Sequence, residues 1–119
     1  MKNLVLVGGA GGIGRSLASR ALDDGWDVTV MDLEKSLSKH PPAKGIKSRK
    51  IDLTDAPSID NAFSGFKQLT GLVNLAGYMQ GLNSIEETTN KDFDEVIDLN
   101  LKGAFLVAKQ ALPLLRVNG

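Results

Sequence analysis

Along much of this chain the apolar residues come in short unbroken runs instead of alternating with polar ones. Leu4-Val5-Leu6-Val7, Val28-Thr29-Val30-Met31 and Leu72-Val73-Asn74-Leu75 are such runs. A strand buried on both faces reads this way, because neither side of it meets water. Ile46 to Ile51 is a more polar strand candidate, as expected nearer the edge of a sheet. Between the runs the period lengthens. Ile13, Leu17, Ala18, Ala21 and Leu22 share one helical face, and Gly25 supplies a stop. Asp55 followed by Pro57 reads as the N-cap and first turn of a short helix through Phe63. The stretch Lys35 to Gly45, with Pro41-Pro42, has no periodicity and reads as a loop, and Tyr78 to Asn90 is polar and irregular. From Lys91 to about Arg116 the pattern predicts one long helix carrying Phe93, Ile97, Ala104, Phe105, Ala108 and Leu115.

Strands that alternate with helices and read as solid apolar runs predict an α/β domain with a parallel sheet covered on both faces. The 119 residues fit one domain, and a 42% hydrophobic content is enough for a core. Lysine plus arginine and aspartate plus glutamate both number 14, so nothing in the charge points to nucleic acid or an acidic membrane. The absence of cysteine excludes disulfides and thiolate metal sites. The first apolar run dissolves into glycines too early for a signal peptide or a membrane span, which makes the cytoplasm the expected compartment.

The chemistry begins at Gly8-Gly9-Ala10-Gly11-Gly12-Ile13-Gly14, between a strand and a helix. Five glycines in seven residues cost more chain entropy than a mere turn warrants. Missing side chains let backbone approach a pyrophosphate, and the helix N-terminus offers unpaired N–H groups with a partial positive charge. Gly9, Gly11 and Gly14 satisfy G-x-G-x-x-G, the general Rossmann fingerprint. The same loop followed by Arg15-Ser16 is one residue from a phosphate-binding P-loop, with arginine in place of a compact lysine charge. Asp32 ends the second strand near the offset at which a carboxylate accepts the adenosine ribose hydroxyls. His40 reads as a solvated loop residue, not a base or metal ligand. Glu86, Glu87, Asp92, Asp94 and Glu95 read as charges that solvate a loop and suit a helix start.

A third register, Gly8-x-x-x-Gly12-Ile13-Gly14, resembles the T-G-x-x-x-G-I-G loop of the short-chain dehydrogenase/reductase family, with Val7 where threonine is usual. Gly8, Gly11 and Gly14 equally resemble the T-G-x-x-G-x-x-G loop of the extended branch. The rest of the chain favours the classical branch. Asp52-Leu53 is similar to its adenine-holding pair. Leu72-Val73-Asn74-Leu75-Ala76-Gly77 is similar to L-V-N-N-A-G, and Asp98-Leu99-Asn100-Leu101-Lys102-Gly103 to V-N-L-x-G. These matches stand in family order and cover essentially the whole chain.

The resemblance implies a Rossmann-like, doubly wound parallel sheet with strand order 3-2-1-4, truncated after the fourth strand and the long helix. It implies that Gly8, Gly11, Gly12, Ile13 and Gly14 hold a pyrophosphate, Asp32 the ribose, and Asp52 and Leu53 the adenine. Asn74, Ala76 and Gly77 would line the inner ribose, and Asn100 falls on the family's catalytic asparagine. The implied cofactor is NAD, with NADP disfavoured by Asp32 and by the lack of a basic residue at Gly11 or Leu33. The implied activity is hydride exchange between nicotinamide and a carbonyl or alcohol. The family's serine and Tyr-x-x-x-Lys have no match, since Tyr78 is followed four places on by Leu82. A non-catalytic dinucleotide-binding module and a P-loop nucleotide hydrolase remain as alternative readings. The resemblance further implies a homo-oligomer formed through the 91–116 helix.

Overall fold

A computed structural model describes residues 1–79 and 81–118. Four parallel strands, β1 (Asn3–Val7), β2 (Asp27–Asp32), β3 (Lys47–Lys50) and β4 (Gly71–Asn74), pair in the order β3-β2-β1-β4. This is the predicted order. The polar strand β3 lies at one edge, as its composition requires. The helices are α1 (Gly12–Asp23), α2 (Glu34–Lys39), α3 (Ala56–Phe63), α4 (Asn90–Ile97) and α5 (Gly103–Asn118). A five-residue π-helical segment, Asp98–Lys102, joins the last two.

Side chains of a strand alternate between faces, so β1 divides its apolar run between two cores. Leu4 and Leu6 pack with Val28, Val30, Ala18 and Ala21 under α1. Val5 and Val7 pack with Met31, Ile51, Leu53, Ile59, Phe63 and Val107 under α3 and α5. Each fully buried valine, leucine, isoleucine, methionine or phenylalanine among them stabilises the fold by about 1.5–3 kcal/mol. Both faces are dry, which is why the run has no polar positions.

Two elements depart from the expectation. The stretch read as a loop from Lys35 contains α2, a six-residue helix whose C-terminal backbone is closed by His40 N–H donating to Ser36 O at 2.9 Å. It has no buried residue, so it leaves no apolar period to detect. The predicted long helix is also not uniform. Gly103 N–H reaches back five residues to the Asp98 carbonyl, which marks the π segment. Pro113 sits inside α5 without ending it.

The core-facing side of that helix is not the stripe of large residues. Phe93, Ile97, Leu101 and Phe105 are exposed, whereas Val107 and Ala111 are buried and Leu99, Leu106, Leu114 and Leu115 pack partly against the core. Small residues explain the choice. A Cβ on Gly103 would stand 3.0 Å from Leu53 Cβ and 3.1 Å from Leu53 O, so the glycine admits close approach of helix to loop.

Candidate functional site

The carboxyl ends of all four strands open into one cavity of about 450 Å³. Its wall includes Val7 from β1, Asp32 from β2, Ile51 to Leu53 after β3, and Leu75 to Gly77 after β4. In open α/β sheets ligands bind at this end, where the strand order reverses; here the reversal lies between β1 and β4.

The glycine loop is shaped by backbone contacts. Gly8 has φ +78°, and a Cβ there would stand 2.6 Å from Ala76 N, so glycine alone lets the β1 and β4 loops meet. Gly14 is pressed on Gly9, with a virtual Cβ 2.5 Å from Gly9 Cα. Gly12, in contrast, has nothing within 4 Å of that position, which leaves open space at the helix start. No side chain caps α1 and no acidic residue occupies its first turn. The N–H groups that begin the helix are therefore available to an anion. This uncapped, unblocked terminus beside an open cavity fits a pyrophosphate.

Asp32 is fixed in place. Its Oδ2 accepts the Ala10 N–H at 3.0 Å and its Oδ1 accepts the Leu33 N–H at 2.8 Å. Each carboxylate oxygen keeps further acceptor capacity, which suits a pair of ribose hydroxyls. Asp52 also turns on itself, its Oδ1 accepting the Thr54 N–H at 2.9 Å and the Thr54 hydroxyl at 2.6 Å, while Asp52 N–H donates to Ser58 Oγ at 2.9 Å. That web presents Leu53 at the cavity wall.

Among the residues expected from sequence, Gly8, Gly11, Asp32, Asp52, Leu53, Ala76 and Gly77 line this cavity. Gly12, Ile13, Gly14, Asn74 and Asn100 lie outside its wall. Ile13 is 75% exposed, and Gly14 is buried beneath the loop. Asn74 accepts the Ala76 N–H through Oδ1 at 3.0 Å and so shapes the β4 turn. Asn100, in the π segment, clamps the Tyr78 peptide, its Oδ1 accepting the N–H at 2.8 Å and its Nδ2 donating to the carbonyl at 2.7 Å.

Ser36, Lys39 and His40 were not expected in the wall, yet all three line it. His40 is half-buried, not a solvated loop residue. Ser36 and Lys39 lie three apart on α2 and His40 directly follows its last residue, a placement that depends on the short helix the apolar pattern did not show. Arg15, the residue in the place of a P-loop lysine, borders a separate cavity with Ala18, Val30 and Pro41. It is not part of the 450 Å³ wall, which argues against the P-loop reading. The acidic residues behave as expected. Thr89 and Asp92 form a reciprocal capping box at the start of α4. Hydrogen bonds from its own backbone and from Ser84 hold the Glu86 carboxyl below its ordinary range. Among the described residues no group of three or more histidine, aspartate or glutamate side chains could hold a metal, and no helix is long and apolar enough to cross a membrane.

Comparison with known proteins defines the class. A family model of the short chain dehydrogenases matches residues 2–119. The chain therefore belongs to the short chain dehydrogenase family of NAD(P)-binding oxidoreductases. It is similar to 2-(S)-hydroxypropyl-CoM dehydrogenase 3 of Xanthobacter autotrophicus, at 34% identity over 92% of this chain and 46% of that one. The fold superposes on the ligand-free aldohexose dehydrogenase of Thermoplasma acidophilum with a TM-score of 0.82 and 26% identity, covering 96% of this chain and 44% of that one. An actinorhodin polyketide ketoreductase variant solved with NADPH gives a TM-score of 0.81 at 25% identity, covering 93% of this chain and 46% of that one. This chain thus spans about half the length of each.

Proposed function

We propose that this chain binds NAD, in preference to NADP, as the dinucleotide-holding part of an oxidoreductase. The observation that carries the reading is the Asp32 carboxylate, fixed by two backbone N–H groups at the rim of the cavity under an uncapped glycine loop. The pyrophosphate would lie over Gly11 to Gly14, the adenosine ribose against Asp32, and the adenine against Asp52 and Leu53. The inner ribose would lie along Asn74 to Gly77. A bound nicotinamide supplies a hydride to, or takes one from, a carbonyl or alcohol carbon. Asn100 acts here as a positioning residue, holding the Tyr78 peptide and with it the loop beyond Gly77. These 119 residues contain no Tyr-x-x-x-Lys, so binding without turnover is the expected behaviour of this chain tested by itself. Fluorescence titration with NADH, NADPH and ATP plus magnesium tests the assignment. NADH should bind most tightly; a preference for ATP, or NADPH binding as tight as NADH, overturns it.

The exposed stripe Phe93, Ile97, Leu101 and Phe105 supports a second element of the proposal, a homodimer formed along α4 and α5. These side chains recur every fourth residue and extend to Leu112. A contiguous apolar strip of this kind marks an association surface.

A further inference from the structure

The second cavity, of about 180 Å³, lies between α1 and the segment from His40 to Ile46 that leads into β3. Arg15, Ala18 and Ser19 border it from α1, and positions three and four apart share one face of a helix. Leu22, the next place on that face, meets the far end of the same segment, its methyl groups 3.5 Å from where a Gly45 Cβ would stand. A turn closes there, with Gly45 at φ +94° and Ile46 N–H donating to Ala43 O at 3.1 Å. The segment is thus pinned to α1 at Leu22, and the cavity lies at its other end, beside Arg15. Pro41 and Pro42 stiffen that end, because their rings fix φ, and they bring no N–H into the wall.

The lining divides into an apolar floor and a rim of donors. Ala18 and Val30 are buried in the floor, with Pro42 and Ile46 half-buried beside them. Arg15 and Ser19 stand exposed at the rim, and His40 is half-buried there. Among the described residues neither the Arg15 guanidinium nor the His40 imidazole has a hydrogen-bond or ion-pair partner, and no carboxylate lines the cavity. The space is smaller than the roughly 300–1,000 Å³ of a site for a drug-sized ligand. A guanidinium over an apolar floor suits an anion that carries an apolar body, whereas a bare phosphate would leave the floor uncovered. We propose that this cavity binds a small organic acid, its carboxylate held by Arg15 and its short aliphatic body lying over Ala18, Val30 and Ile46. The site is separate from the dinucleotide cavity, although Ala10 and His40 belong to both walls.

Titration of the ¹⁵N-labelled 119-residue chain with acetate, butyrate, hexanoate and hexanol, followed by amide chemical shifts, tests this. Hexanoate should bind with a Kd on the order of millimolar and shift the amides of Ala18, Ser19 and Ala43 together. Each two-carbon extension of the acid should tighten binding about fourfold, since a half-buried methylene contributes about twofold. Arg15→Gln should weaken hexanoate about fivefold, the upper worth of a solvent-exposed ion pair, and leave hexanol unchanged. Ser19→Phe should abolish binding of both by filling the mouth. Both substituted side chains are exposed, and thermal melts confirm that the variants fold. Hexanoate binding that ignores Arg15→Gln or chain length, shifts centred elsewhere, or no binding at all overturns the site. Saturating NADH that expels hexanoate completely places the acid in the dinucleotide cavity and also overturns it. Simultaneous binding of the two supports it, and a chain that takes hexanoate at these residues but no NADH overturns only the dinucleotide reading.

Discussion

Gly12 and Gly14 are two residues apart in one motif, yet substitution by alanine should move stability in opposite directions. A Cβ on Gly14 would meet Gly9 Cα at 2.5 Å, Gly9 C at 2.7 Å and Gly9 O at 2.7 Å. Those atoms are backbone, so no side chain can swing aside. Either the start of α1 lifts from the loop or the loop shifts under it. Overpacking of this severity costs about 3 kcal/mol, and the gain in helix propensity from glycine to alanine returns about 1 kcal/mol. The net loss of about 2 kcal/mol corresponds to a fall in Tm of about 6–12 °C for a domain of this size. Gly12 meets nothing within 4 Å, and its Cβ would point into open space at the first helical position. There the propensity gain stands alone, and Gly12→Ala should stabilise by about 0.5 kcal/mol. It should still weaken NADH, because the methyl group intrudes where backbone must approach the pyrophosphate. Thermal melts by circular dichroism, paired with NADH titration, measure both effects. A Gly14→Ala protein as stable as the native chain would refute the packing argument. A stabilised Gly12→Ala protein with native NADH affinity would refute the placement of the pyrophosphate.

Asn100→Ala removes two hydrogen bonds to the Tyr78 peptide, each worth about 1 kcal/mol net, and should speed amide exchange at Tyr78 by about tenfold. Unchanged protection there would mean that another group holds the loop. Phe105→Glu places a charge in the middle of the exposed apolar stripe and should convert a dimer to monomer in sedimentation at micromolar concentration. A native chain that sediments as a stable monomer would instead remove the case for that interface.

The strands were legible because burial on both faces erases the polar positions that otherwise make short runs ambiguous. Val5, Leu6, Val28 and Met31 have essentially no exposed surface, and only a central parallel strand puts side chains in that condition so uniformly. The glycines were legible as a motif but not in their separate duties. Gly8 is needed for its positive φ and the approach of Ala76, Gly14 for the approach of Gly9, and Gly12 for space. Sequence spacing does not distinguish these, since each depends on an atom from elsewhere in the fold. Asn74 and Asn100 show the same limit. Their positions follow from motif matching, but their bonds to Ala76 N and to the Tyr78 peptide depend on how the loop after β4 turns.

The illegible parts share a physical cause. A pattern of large apolar residues predicts which positions dislike water, whereas packing selects the face that can come closest. On the last helix those criteria disagree. Phe93, Ile97 and Phe105 form the more conspicuous stripe, but Gly103, Val107 and Ala111 present less bulk, and the helix turns that side to Leu53 and Ile59. The π segment sits immediately before Gly103. An inserted residue rotates the later turns of a helix relative to the earlier ones, so a strict period of 3.6 read across residues 91–116 assigns faces wrongly beyond Asp98. Helix α2 fails for the complementary reason. Its one apolar residue, Leu37, packs partly against the core beside α1, and a single position sets no period, so hydrophobic periodicity is silent. A six-residue helix anchored to the core by one side chain is the kind of element about which sequence patterns keyed to the core say least.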